Sequence, residues 1–438
     1  MKLYDHRRCS AEVAVHSIHS GDRVFMTGNC SVPQVVVNEL TRQAERFKHV
    51  EVIQVLTIGD CPYVNLEMQG HIRVNSMFVS ENVRQAVNDG RADFTPIFLS
   101  EIPALFRREM PLDVALVQVS PPDEHGFCSF GLEVGVTKTA AECARTLIAE
   151  INPRMPRTLG DSFVHISKLT HIVEVDYPLP EIRMSQASPV QDSIARNVAT
   201  LIDDDCTLQT GIGGIPDAVL KYLGDRRNLG IHTELFSDGV IDLVGQGVIT
   251  NEAKTLHPGK IVAGFVLGTQ RLYDFVNDNP LIELHPTEYV NDPFRIAQND
   301  RMVSINSALE VDLTGQVCAD SIGHTFYSGA GGQVDFIRGA GRSRGGKLII
   351  ALPSTARSDA LSRIVWELNP GAGIITTRND AHYVVTEYGI AYLHGKTIRE
   401  RAQALIAIAH PKFRAMLEEQ ARQFGYLPTP YTGVALPM

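Results

Sequence analysis

Glu234 sits in a short apolar run, Leu229-Gly230-Ile231-His232-Thr233-Glu234-Leu235, downstream of a glycine turn, Thr210-Gly211-Ile212-Gly213-Gly214. The turn closes a strand-like segment, so a lone carboxylate and a row of bare backbone N–H groups are expected at neighbouring strand ends. Ligands of open α/β sheets bind beyond the carboxyl ends of adjacent strands, which puts both features in one pocket. A carboxylate there could attack an acyl carbon while backbone N–H groups hold the developing oxyanion. It could also hold a ribose hydroxyl, and the turn could be a plain connection with no ligand.

Gly211-Ile212-Gly213-Gly214-Ile215-Pro216 is nearly a dinucleotide fingerprint, and Glu234 stands close to where such folds place an acidic ribose ligand. Pro216 argues against that reading, because it occupies the position where only glycine lets helix and strand pack closely. Acyl chemistry uses the same geometry without the conflict. Glycines let the backbone approach a substrate without Cβ interference, and each oxyanion donor typically contributes ~2.7–4 kcal/mol in the transition state.

A second glycine cluster, Ser328-Gly329-Ala330-Gly331-Gly332-Gln333, reads as a tight turn or as a further source of N–H donors. The basic stretch from Arg338 through Arg342 and Arg344 to Lys347 superficially matches a phosphate-binding loop. Leu348 stands where Ser or Thr must hold magnesium, and the stretch precedes a strand instead of a helix. A solvated basic turn is the plain reading, with a nucleotide-phosphate contact as the sharper one.

The 15 histidines form no H-E-x-x-H motif and no cluster with cysteine, so no metal site is expected. His232 should face the same side of its strand as Glu234 and reads as a neutral packing residue. Ser307 and Ser354 lack the glycine-flanked context of a nucleophile elbow, which argues against a serine hydrolase. The seven cysteines are scattered and never paired as C-x-x-C, as expected of free thiols in a reducing cytoplasm.

The elements that must position these groups recur twice along the chain. Asp22-Arg23-Val24-Phe25-Met26-Thr27-Gly28 leads to Pro33 and an apolar helix pattern, as Asp205-Cys206-Thr207-Leu208-Gln209-Thr210-Gly211 leads to Pro216. Both read strand, Thr-Gly turn, then a helix opening on proline, where a missing N–H costs nothing. Residues 50–60 match 229–239, and the approach to Gly126 matches the approach to Gly315. Gln54-Val55 stand where the second half has Thr233-Glu234, so the carboxylate belongs to one half alone. A structural requirement would appear in both.

Unalternated apolar runs at 262–267 and 348–352 read as buried parallel strands. Helix-period segments are expected at 360–368 and 397–424. The fold class expected is α/β: two open α/β/α domains with mainly parallel sheets, related as a diverged internal repeat. The proline-rich stretch Tyr177-Pro178-Leu179-Pro180 onward to Pro189 is the expected linker, giving domains 1–185 and 186–438.

The 438 residues suit more than one domain, and 44% hydrophobic with 21% charged residues is an ordinary globular composition. A net charge of −10 argues against non-specific binding to nucleic acid or anionic membranes. No apolar run approaches the roughly 20 residues of a membrane span. The N-terminal stretch has no signal-like apolar core, so a cytoplasmic location is expected.

At these residues the chain resembles the acetyl-CoA hydrolase/transferase family of class I CoA-transferases, closest to its 4-hydroxybutyrate branch. The resemblance runs through residues 211–216, 232–239, Tyr289-Val290-Asn291-Asp292-Pro293, Ser304-Ile305-Asn306-Ser307, 329–336 and Val384-Val385-Thr386-Glu387-Tyr388-Gly389. It implies an active site between two α/β/α domains and a covalent role for Glu234, through an acyl-glutamyl anhydride and a glutamyl-CoA thioester. It also implies that Asn291 orients the carboxylate, already ionised at neutral pH. By the same resemblance Gly211, Ile212, Gly213, Gly214 and Ile215 lie along CoA, and the N–H groups of Ile212 and of Gly331 or Gly332 serve as oxyanion donors. Asn306 faces the cofactor, Lys347 meets a phosphate, and Glu387 is a further polar group. Coenzyme A and acyl-CoA would be substrates, with no tightly bound cofactor, and the partners would be short-chain carboxylates and further copies of the chain in a homo-oligomer. The rivals are an acyl-CoA hydrolase on the same fold and a non-covalent dinucleotide-binding protein.

Overall fold

The computed structural model describes residues 2–183, 186–211 and 213–428. The first half builds a sheet from β1 (Arg23–Met26), β2 (Val50–Gln54), β3 (Ile72–Ser76), β4 (Asp93–Phe94), β5 (Val114–Val119), β6 (Thr146–Ile151) and β7 (His171–Glu174). Their spatial order is β4-β3-β2-β1-β5-β6-β7, and every pairing is parallel. The second half supplies β8 (Thr207–Gln209), β9 (Gly230–Phe236), β10 (Ile261–Val266), β11 (Ile282–Leu284), β12 (Met302–Ser307), β13 (Lys347–Ala351), β14 (Tyr383–Thr386) and β15 (Gly389–Tyr392). Their order, β11-β10-β9-β8-β12-β13-β14-β15, repeats the first sheet strand for strand and adds one antiparallel hairpin partner at the edge. The internal repeat expected from the sequence is therefore a repeat of topology, and β9 is the counterpart of β2.

Strands buried on both faces have no use for polar alternation, and all six residues of β5 and all six of β10 are buried. Helices cover the sheets: α1 (Gln34–Arg42) follows β1, while α2 (Pro189–Ala199) and α3 (Gly214–Lys221) flank β8. A capping box between Ser188 and Gln191 starts α2. Gly214 lets α2 and α3 meet, since a Cβ there would lie 2.3 Å from Gln191 Nε2. Beyond these come α4 (Thr287–Val290), α5 (Gln333–Arg342), α6 (Ile398–Ile408) and α7 (Pro411–Gln423).

Three expectations need correction. Residues 360–368 form no helix: Leu361–Ser362 pairs with Thr355–Ala356, and Ile364–Val365 pairs with Glu310–Asp312. Ladder partners outweigh the local period. The stretch 397–424 is two helices, because Pro411 starts the second. Arg338 and Arg342 lie in α5, so the basic stretch is half helix and not one loop.

The halves interlock through residues 131–136, which run antiparallel along β10. Val134 and Gly135 donate to the Gly264 carbonyl at 3.1 and 3.0 Å, and Val266 donates to Leu132 at 2.9 Å. One continuous apolar core carries Phe25 and Ile53 from the first sheet and Leu208 and Ile231 from the second. The linker is docked before residues 184 and 185, which lie outside the described residues: Tyr273 donates to the Pro180 carbonyl at 2.5 Å and Ile182 to Gly268 at 2.8 Å. Among the described residues no helix is long and apolar enough to cross a membrane.

Candidate active site

A cavity of about 380 Å3 lies between the two sheets, lined from the first half by Phe25, Leu56 and Glu133 and from the second by Gly211, Glu234 and Gly332. Glu234 belongs to β9, two residues inside its end and not at it. Thr233, on the opposite face, ties the strand to the glycine turn. Its Oγ1 accepts the Thr210 N–H at 3.2 Å and donates to the Thr210 carbonyl at 2.9 Å.

Glu234 Oε2 accepts the Asn291 side-chain N–H at 3.1 Å, and the backbone N–H of Gly332 supplies a second donor. Glycine is required at 332 by contact and not by dihedral: a Cβ would lie 2.0 Å from Glu234 Oε2 and 2.3 Å from Asn291 Nδ2. Asn291 caps the end of α4 and is fully buried. His232 holds that helix end by donating from Nε2 to the Val290 carbonyl at 2.8 Å, which fixes its tautomer. Burial pushes its pKa down to about 3, so the ring is neutral. It positions Asn291 without touching the carboxylate.

Burial pushes the Glu234 carboxyl up to about 7, against the pull of the Asn291 amide and the Gly332 N–H. The expectation of a fully ionised carboxylate is thereby revised, because a desolvated carboxyl resists charge until its donors compensate. Two more buried acids gather beside it. Burial raises Glu133 to about 8 and Asp335 to about 7, and the Glu234 charge adds to both. Asp335 opens α5 and accepts the Ser100 N–H at 3.2 Å and the Ser100 hydroxyl at 2.8 Å across the domain boundary.

Of the residues singled out in the sequence, Gly211, Asn306, Gly331 and Gly332 line the same cavity as Glu234, with Asn291 bonded to it from behind. Asn306, the penultimate residue of β12, donates to Gln209 Oε1 at 3.2 Å and to Ser304 Oγ at 2.7 Å. Ile212 lies outside the described residues. Gly213, Gly214 and Ile215 turn away from the cavity: the Gly213 N–H bonds Asp217 at 3.3 Å, Gly214 packs on α2, and Ile215 is buried in the core. Lys347 stands at the amino end of β13, the far end from the cavity, and donates to the Leu201 carbonyl and to Asp203, both at 2.7 Å. Glu387 accepts the Ser354 N–H at 2.9 Å and its hydroxyl at 2.5 Å, away from the cavity wall.

Sequence reasoning missed Glu133, Asn29 and Asp335. An acidic residue bracketed by Leu132 and Val134 was the one available signal. Spacing also gave no hint of the trio His257, Glu283 and His285. Glu283 accepts from His257 Nδ1 at 2.9 Å and His285 Nε2 at 3.2 Å, and His257 Nε2 meets the Tyr289 hydroxyl at 2.6 Å. The trio could hold a metal ion by donor type, but its atoms already satisfy one another as a network under α4.

A desolvated carboxylate, two fixed donors and an apolar cavity suit attack on an activated acyl group. The N-terminal domain model of the acetyl-CoA hydrolase/transferase family matches residues 1–182, and its C-terminal domain model matches residues 268–421. The chain belongs to this family. Among its members, the 4-hydroxybutyrate coenzyme A transferase of Clostridium kluyveri is 51% identical over 96% of this chain and 99% of its own length. The crystal structure of 4-hydroxybutyrate CoA-transferase from Porphyromonas gingivalis shares 46% identity, covers 97% of this chain and 99% of its own, and superposes with a TM-score of 0.84. RipA from Yersinia pestis, 38% identical, covers the same shares at 0.92. Membership of this family agrees with the paired α/β/α sheets and removes the dinucleotide reading that Pro216 had already weakened.

Proposed function

We propose that the protein transfers CoA between an acyl-CoA and a small carboxylic acid, with Glu234 as the nucleophile. The observation that carries this is the carboxylate itself, gripped by Asn291 and the Gly332 N–H in the wall of an apolar interdomain cavity. Glu234 attacks the thioester carbonyl, the C–S bond breaks, and CoA leaves as thiolate, giving an acyl-glutamyl anhydride. The thiolate then attacks the glutamyl carbonyl, releasing the first carboxylate and leaving a glutamyl-CoA thioester. An acceptor carboxylate attacks this thioester, and the returning thiolate takes the new acyl group and frees Glu234.

No step consumes or releases a proton overall, so the site needs no general acid. It needs position and charge stabilisation, and contacts to the CoA tail supply remote binding energy. Gly211, Gly331 and Asn306 line the cavity where that substrate would lie. Butyrate, 4-hydroxybutyrate, acetate, succinate and itaconate are the acids to consider, and the acceptor acid must outcompete water at the same thioester for transfer to prevail over hydrolysis.

The test is mass measurement of the protein after acyl-CoA is added, with product assays run with and without an acceptor acid. A CoA adduct on Glu234, absent in Glu234→Gln, together with acceptor-dependent turnover is the expected result. CoA release that ignores the acceptor would make the enzyme a hydrolase, and no adduct would remove the covalent role.

A further inference from the structure

The second donor to Glu234 sits on a segment that its own half does not hold alone. Residues 327–333 line the cavity without a break and carry the Gly332 N–H. Gly329, Gly331 and Gly332 leave this turn little conformational preference of its own. The hairpin that leads into it pairs only Ser321–Ile322 with Thr325–Phe326, too short to be stable by itself. Within the second half, the Tyr327 and Ser328 N–H groups bond the Asp320 carbonyl at 2.7 and 3.0 Å, and the Gln333 side chain reaches Thr376 Oγ1 at 3.2 Å.

Further anchors come from the first half. Asn88, the last residue of the helix Glu81–Asn88, donates from Nδ2 to the Phe326 carbonyl and accepts the Phe326 N–H on Oδ1, both at 2.9 Å. One amide side chain thus pairs the outer edge of the hairpin as a neighbouring strand would. One helical turn earlier, Arg84 Nε donates to the Tyr327 carbonyl at 2.8 Å, with its guanidinium 3.9 Å from the Tyr327 ring centroid. The Phe94 ring lies 5.1 Å from that of Phe326, and the Leu99 N–H meets the Gly331 carbonyl at 3.2 Å. Phe78 backs the turn so closely that a Cβ on Gly329 or Gly331 would come within 3.2 or 3.3 Å of its ring. We propose that Asn88 and Arg84 are positioning residues: by clasping the Phe326–Tyr327 backbone from the first half, they hold the glycine turn, and with it the Gly332 N–H, on the Glu234 carboxylate. The half that carries the carboxylate then has a complete site only when the other half grips it. The inference rests on the CoA-transfer reading for its effect on rate, whereas its effect on the carboxylate needs no substrate.

The experiment titrates Glu234 directly in the ligand-free protein, by infrared difference against the same protein carrying Glu234→Gln, from about pH 5 to about 9. The natural enzyme is compared with Asn88→Ala and with Asn88→Ala combined with Arg84→Lys. Asn88 is exposed, so its truncation opens no cavity. Arg84→Lys keeps its charge, and the acids beside Glu234, Glu133 and Asp335, are untouched, so a shift reports the donor. Withdrawing an N–H from the charged form should raise the Glu234 midpoint by about half a pH unit to one unit in the double variant, and by less in Asn88→Ala. With acyl-CoA and an acceptor acid, kcat should fall about tenfold while KM for acyl-CoA stays within about threefold. An unmoved midpoint in the folded double variant overturns the proposal, and a lowered melting temperature beside it would make the clasp a purely structural seam. A raised KM with kcat unchanged overturns it too, since the clasp would then serve substrate binding. If the double variant fails to fold, Asn88→Ala alone decides on the same two readings. A shifted midpoint in a protein that transfers CoA to no acid would uphold the positioning role and remove the transfer reading instead.

Discussion

Replacing Gly332 by alanine tests the site at its tightest contact. The new Cβ would lie 2.0 Å from Glu234 Oε2 and 2.3 Å from Asn291 Nδ2, whereas nonbonded heavy atoms rest about 3.5 Å apart. The carboxylate and the amide must therefore retreat by more than about 1 Å. A misplacement of that size costs on the order of 10²-fold in rate, and a lost donor to the reacting group costs about 10²–10³. The two effects overlap, so a fall of about 10²–10⁴ in kcat/KM is expected. Backbone strain is not the cause, because Gly332 has φ −92° and ψ 5°, which alanine also adopts. Because the displaced groups are buried, overpacking should also lower stability by about 1–3 kcal/mol. Exchange of acyl-CoA with an acceptor acid, followed by chromatography of the CoA esters, gives the rate, and calorimetry gives the melting temperature. A variant within about threefold of the natural enzyme would refute the claim that this contact sets the carboxylate's position.

Other perturbations separate the site's parts. In the proposed mechanism the attacking form of Glu234 is the ionised one, and its carboxyl is held up to about 7; kcat/KM should therefore fall tenfold per pH unit below about 7, and an acid limb centred below about pH 5 would contradict the desolvated site. Asn291→Ala removes a donor to the charged form, so the limb should move to higher pH while kcat drops about 10–10²-fold; an unmoved limb would show that Asn291 does not act on the carboxylate. Glu133, Glu234 and Asp335 have folded values raised above their unfolded ones. The native state then binds more protons than the unfolded state between about pH 4.3 and 7–8, so stability falls as pH rises through that window. Glu234→Gln should consequently raise the melting temperature of the ligand-free protein at pH 8, and a lower one would count against a strained, buried charge. Lys347→Ala should leave KM for acyl-CoA within about twofold, because the lysine is engaged with Asp203 at the far end of β13; a tenfold rise would return it to the phosphate site.

Glu234, the glycine turn and the repeated strand order were legible because each depends on local pattern: burial on both faces, a Thr-Gly turn, a proline opening a helix. Asn291 and Gly332 were reached through resemblance, because nothing in their neighbours' periodicity says that α4 and the turn before α5 converge on one carboxylate. Glu133 was invisible for a different reason. It reaches the cavity only because residues 131–136 cross the domain boundary to run along β10, a long-range pairing with no local signature. Lys347 shows the opposite error: a basic run near glycines suggests phosphate, but the strand direction carries it away from the carboxyl ends where ligands bind. At 360–368 a helical period lost to two short ladders, as tertiary context overrides propensity.

The two halves share a topology but differ at one place that matters. In the first, the turn at Gly28 is shut, since a Cβ there would lie 2.1 Å from the Leu56 carbonyl oxygen, and the same carbonyl takes the Asn29 N–H. In the second, the turn at Gly211 is open, and a Cβ would meet nothing closer than Pro216 Cγ at 3.9 Å. A closed turn has its donors spent on its own fold, whereas an open one keeps space for a substrate to approach the backbone. The carboxylate stands beside the open turn, on β9, and its counterpart strand β2 carries Gln54 instead. The closed half is not idle, because sealing its turn fixes Asn29 and Leu56 as wall. One copy of the repeat thus carries the carboxylate, and the other, folded the same way, supplies the opposite wall of its cavity.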